Sequence, residues 1–170
     1  FIFEGHGVGG DYGDARLLSA DEAPDGEGGT GLDVARLPST LLSQDSTKRI
    51  VVLTDAVHSG AADGSALIGP VAQDWVAPGE HFGSISVTNS GLGSTPGVFQ
   101  GALQHGLEGG ADADGNGHVS LGELMGFLQG AVSTQSSGRM HPMRAGALSD
   151  EMFLSKSVTA PAVSVVLVTP

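Results

Sequence analysis

Arg49-Ile50-Val51-Val52-Leu53-Thr54-Asp55-Ala56-Val57-His58-Ser59-Gly60 is the stretch whose reading decides the fold. Ile50 to Leu53 is a short β-branched and aliphatic run that stops at small and polar residues. That pattern fits a strand buried in a mostly parallel sheet. Ligands and catalytic groups in open α/β sheets gather at the carboxyl ends of strands, where Asp55 to Gly60 would fall. A second apolar run, Phe1-Ile2-Phe3-Glu4, ends in the same way at Gly5-His6-Gly7. Two strands are therefore expected to bring His6 and the 55–60 segment to one rim of one sheet.

Outward from this centre the signals alternate between apolar runs and loops. Residues 8–15 are Gly- and Asp-rich and read as a loop. Arg16 to Ala20 is expected to be a short strand, and residues 23–31 form a loop without core-forming content. The spacing of Val34, Leu37 and Leu41 predicts a helix from about Asp33 to Leu42, against which Pro38 argues. Residues 61–81, with Pro70 and Pro78, read as a long loop. Phe82 to Thr88 alternates as a strand does. Pro96 suits a first helical turn with Thr95 as its N-cap, and Val98, Phe99, Ala102, Leu103, Gly106 and Leu107 share one helical face. A further helix over Leu121–Val132 aligns Leu121, Leu124, Met125, Leu128 and Val132. Ala162 to Val168 is strongly β-prone and, left exposed, would invite aggregation.

Between the last two helices lies Asp112-Ala113-Asp114-Gly115-Asn116-Gly117-His118-Val119-Ser120-Leu121-Gly122-Glu123. It matches the twelve-residue EF-hand calcium loop at every diagnostic position. Asp112, Asp114 and Asn116 would give side-chain oxygens, Gly117 the sharp turn, and His118 its backbone carbonyl. Ser120 would act directly or through water, and Glu123 would close the shell with two oxygens. Ser120 and Glu123 alone also fit a capping box for the helix that follows. That reading leaves the register of Asp112, Asp114, Asn116 and Gly117 without an explanation. Calcium is the expected cofactor. One loop without a visible partner loop points to modest affinity, roughly 10⁻⁵ to 10⁻³ M.

Gly5-His6-Gly7, followed about fifty residues later by Asp55-Ala56-Val57-His58-Ser59-Gly60, resembles the caspase-like cysteine peptidases, in particular their bacterial metacaspase-like branch. The resemblance spans roughly Phe1 to Leu154. It implies an α/β domain over residues 1–155, with a mostly parallel sheet flanked by helices, and a β-prone tail over 156–170. It also implies that the family's first two strands are lacking, to be completed by a preceding segment or a second chain. His6 would occupy the dyad-histidine position and position 57 that of the nucleophile. Asp55 would bind an Arg or Lys side chain at the cleavage position. The chain departs from the pattern where chemistry depends on it, because residue 57 is Val and there is no cysteine. Ser59 stands two positions from the thiolate's place, and His58 reads as structural. Calcium-loop-like segments occur at the corresponding point in the resembled bacterial proteins.

Composition limits the partners. The 170 residues are 39% hydrophobic, enough for one domain with a real core. A net charge of −12 with seven Lys and Arg speaks against nucleic acid and for cationic peptides, proteins with basic residues, or divalent metals. No apolar run reaches the length of a membrane span. No signal peptide is expected, because the chain opens on a strand. No Lys or Arg occurs from Ile50 to Gly138, so self-cleavage in the usual linker is not expected. The reading that results is a calcium-binding pseudo-peptidase acting as a binding, scaffold or regulatory module. Two alternatives stand beside it: an inactivated (Cys→Val) form of an endopeptidase cleaving after Arg or Lys, and a structural subunit of a larger assembly. Whether the chain is an enzyme stays open at this level, and so does its compartment.

Overall fold

The fold was analysed in a computed structural model, which describes residues 2–5, 7–8, 16–18, 31–42, 49–55, 81–89 and 95–157. The expected first strand is β1 (Ile2–Glu4). Three two-residue strands follow, β2 (Gly7–Val8), β3 (Arg16–Leu17) and β4 (Leu32–Asp33), paired antiparallel in that order. The predicted helix over 33–42 is split. Asp33 closes β4, and its carboxylate accepts the Ala35 N–H at 2.9 Å to cap a 3₁₀ turn over Val34–Arg36. Helix α1 (Leu37–Leu42) continues from it. Pro38 explains the delay, since proline is tolerated only in a first turn, where its missing N–H has no intrahelical acceptor.

The central stretch forms β5 (Ile50–Asp55), and the alternating one forms β6 (Phe82–Asn89). Helix α2 (Val98–His105) runs into a π-helical turn over Gly106–Gly110, which leads to β7 (His118–Ser120) and helix α3 (Leu121–Gln135). Thr95 is not the N-cap of α2. Gly97 holds that position at φ 77° with no side-chain cap, and the Thr95 hydroxyl instead accepts from the Arg139 guanidinium at 3.3 Å. Two strands with weak sequence signals follow, β8 (Met140–Gly146) and β9 (Phe153–Lys156). The β-prone run over 162–168 lies outside the described residues.

The described residues form an α/β architecture around a mixed, mostly parallel four-stranded sheet of order β1-β5-β6-β8. β1 and β6 flank β5 in parallel, and β8 pairs antiparallel with β6 at the edge. Both faces carry apolar clusters. Leu53, Ile85 and Val87 pack with Phe99, Leu103, Leu124, Leu128 and Val132 of α2 and α3. On the other face, Val52 and Phe82 pack with Leu17, Val34 and Leu37. Fully burying side chains of this size contributes about 1.5–3 kcal/mol each, so covering both faces is what holds the sheet. The coverage also fixes one rim, where β1 and β5 end side by side.

Candidate functional site

At that rim Glu4 is in register with Asp55, and the Gly5 N–H donates to the Asp55 carbonyl at 3.2 Å. The two motif-bearing strands therefore end together, as their sequences implied. Asp55 is buried, at 3% exposure, at the carboxyl end of β5. A buried carboxylate is costly unless charge or hydrogen bonds compensate it. His6 and Val57, with His58 and Ser59, lie outside the described residues.

The sequence reading missed a row of hydroxyls beside this carboxylate. Thr54 and Ser86 are register partners across β5 and β6, and Ser84 lies two residues before Ser86. All three side chains are buried, and their hydroxyl oxygens have no hydrogen-bond partner among the described residues. Alternation puts them on the same face as Val52 and Phe82. The polar positions of an alternating strand normally face water. Here both faces of the sheet are covered, so the same pattern puts serines inside.

The second site is the loop between α2 and α3. The π-helical turn delivers Asp112, whose N–H donates to the Gly109 carbonyl at 3.1 Å. Gly109 has φ 117°, and Gly115 and Gly117 have φ 72° and 82°, a region that strains residues bearing a Cβ. These turns fold the acidic residues inward. One carboxylate oxygen from each of Asp112, Asp114 and Glu123 lies within 4.8 Å of the others. Like charges gathered this closely repel unless a cation stands among them. Asp112 Oδ2 accepts the Gly117 N–H at 3.0 Å, while Oδ1 is buried with no hydrogen-bond partner among the described residues.

The remaining loop positions hydrogen-bond among themselves. Asp114 Oδ1 accepts the Asn116 N–H at 3.0 Å, and Asn116 Oδ1 accepts the His118 N–H at 2.8 Å. The His118 imidazole points away to an edge-on contact with Phe153, ring centroids 5.2 Å apart, which leaves only its carbonyl for a metal. Ser120 and Glu123 do form the capping box. Glu123 Oε2 accepts from the Ser120 N–H and hydroxyl at 2.9 Å each, and Ser120 Oγ accepts the Glu123 N–H at 3.3 Å. Glu123 Oε1 reaches back across the loop to the Ala113 N–H at 3.0 Å. The Ser120 N–H, then the Ser120 hydroxyl, hold the Glu123 carboxyl below its ordinary range, with the Asp114 and Ala113 amides adding to them. Glu123 is thus charged and fixed at the mouth of the cluster. The donor set is oxygen throughout, the chemistry of hard cations such as calcium and magnesium rather than zinc or copper.

Comparison with models of protein families, with curated proteins and with solved structures found no match.

Proposed function

We propose that this chain is a calcium-binding pseudo-peptidase of caspase-like type, working as a binding, scaffold or regulatory module. The observation that carries the calcium part is Asp112 Oδ1, a buried carboxylate oxygen without a hydrogen-bond partner among the described residues, beside two further carboxylates. A cation held by Asp112, Asp114, Asn116, the His118 carbonyl, Ser120 and Glu123 would satisfy that oxygen and remove the repulsion. Both Glu123 oxygens already accept, Oε1 from Ala113 and Oε2 from Ser120, so a cation would share this carboxylate with the capping box. Thermal unfolding tests the proposal. For a Kd of about 10⁻⁴ M, 10 mM calcium stabilises the fold by about 2.7 kcal/mol and raises the midpoint by several degrees. An unchanged midpoint, with the same result for Glu123→Gln, would count against it.

The caspase-like part rests on the paired motifs and is supported by the parallel pairing of β1 with β5, which brings Gly5 against Asp55. With Val57 at the nucleophile position the chain has no thiolate to attack a peptide carbonyl. Asp55 favours the second reading, an inactivated endopeptidase. A buried carboxylate at a strand end suits the base of a pocket for an Arg or Lys side chain. Hydrolysis of Arg- and Lys-terminated reporter peptides separates the two readings. We expect none from the chain as it stands. Activity in Val57→Cys that falls steeply on adding Asp55→Asn would mark an intact cleft with a lost nucleophile. Activity in the Val57 chain would overturn the pseudo-peptidase reading.

A further inference from the structure

The calcium loop has a structural partner that its sequence did not reveal. β9 pairs antiparallel with β7, the loop's own strand, with His118 opposite Lys156, Val119 opposite Ser155, and Ser120 opposite Phe153 across a bulge. Contacts continue at both ends. The Ser157 N–H donates to the Gly117 carbonyl at 3.0 Å. The Leu121 and Gly122 N–H groups donate to the Met152 and Asp150 carbonyls at 2.9 and 3.0 Å. Those two amides open α3 and would otherwise have no partner within the helix. One short segment, residues 150–157, therefore holds six consecutive loop residues, 117 to 122, immediately before Glu123.

The same segment reaches the other flank of the loop and the central sheet. The Ser155 hydroxyl donates to the Leu107 carbonyl at 2.6 Å, in the π-helical turn that leads to Asp112. Gly109 in that turn admits Ser157, whose Oγ lies 2.3 Å from where a Cβ on Gly109 would stand. Asp150 pairs with Arg144 of β8, and Arg144 also donates to the Leu148 carbonyl. By contrast, Phe153 is 54% exposed and β9 is only four residues long. Met152 and Leu154 pack partly buried against the core, so its place rests on that packing together with backbone pairing to the loop; with no fully buried side chain, the segment belongs to the part of a fold that opens first.

We infer that residues 150–157 are a calcium-dependent latch, a strand that takes the place of a second loop and docks fully only when the first holds its ion. The inference rests on the calcium reading of 112–123. Calcium would fix the His118 carbonyl, at the residue that begins β7, against the already anchored Glu123 carboxylate. A fixed β7 is the template for β9. Reciprocity requires that β9 docking and calcium binding strengthen each other by one common factor. Release of the latch would also free Asp150 from Arg144, so occupancy of the loop is felt on β8 of the central sheet.

Hydrogen exchange on the full chain, with and without saturating calcium, reads the latch directly. The amides of residues 150–157 should exchange about tenfold more slowly with calcium, within the 5–150-fold span usual for coupled sites. β5 and β6 should change far less, and Glu123→Gln should abolish the effect. Ser155→Ala, which removes the Leu107 contact and leaves every calcium donor in place, should weaken calcium binding several-fold at unchanged stoichiometry. Calcium that binds by calorimetry yet leaves residues 150–157 unprotected, or protects the central sheet equally, overturns the latch and leaves the calcium site standing. Absence of any calcium heat from folded protein overturns the site, and the latch with it.

Discussion

Glu123 ties the start of α3 to the far side of the acidic loop. Its carboxylate accepts the Ser120 N–H and hydroxyl at the start of α3 and the Ala113 N–H across the loop. These donors favour the charged form and lower the folded-state pKa from its ordinary 4.5. A lowered pKa contributes stability that is complete above the ordinary value and is lost as pH falls through the folded value. In calcium-free buffer, Glu123→Gln should therefore be less stable than the parent at neutral pH. The urea midpoints of the two should converge as the pH drops well below 4.5. A gap that persists undiminished at acid pH would show that the carboxylate charge is not what the cap uses. At this scale the loop was legible, because the register of Asp112, Asp114, Asn116, Gly117 and Glu123 is itself the signal. The buried Thr54, Ser84 and Ser86 were not, because a serine's burial depends on what covers its strand.

At the scale of elements, apolar runs and helical spacing were enough to find β5, β6, α2 and α3. β8 was harder. Met140-His141-Pro142-Met143-Arg144-Ala145-Gly146 carries a proline and an arginine and lacks a β-branched residue. It is a strand because it lies at the sheet's edge, where a missing proline N–H is tolerated. Its alternation buries Met140 and Pro142 and leaves His141 and Met143 outside. The strand closes against β6 at a pair of glycines, Gly83 opposite Gly146. Gly146 has φ 90°, and a Cβ there would stand 2.7 Å from both the Gly83 Cα and the Phe82 carbonyl oxygen. Gly146→Ala is therefore expected to cost about 1–3 kcal/mol in backbone conformation alone, with the clash adding to it. Denaturant unfolding measures the loss, and a cost within a few tenths of a kcal/mol would contradict this close approach. β9 gave little signal in the sequence, since four residues carry little periodicity and its partner is the three-residue β7 rather than the central sheet.

At the scale of the molecule, the acidic loop lies at one end of the helical layer, and the two motif strands end together at the sheet's rim. The layer is continuous, because α2 and α3 pack on Leu53, Ile85 and Val87 of the same strands that lead to that rim. The chain's net charge is −12, and the absence of Lys and Arg from Ile50 to Gly138 leaves the loop without basic neighbours in sequence. Among the described residues no helix is long and apolar enough to cross a membrane. The sheet and its helical layers were foreseeable because apolar periodicity writes both. The rim was foreseeable only as the place where β1 and β5 end together; Val57, on which the proposed chemistry turns, lies outside the described residues. Calorimetric titration of the full chain with calcium tests the account most directly. It should give one site per chain, with a Kd in the range of roughly 10⁻⁵ to 10⁻³ M, abolished by Glu123→Gln. Folded protein that gives no heat with millimolar calcium would contradict it.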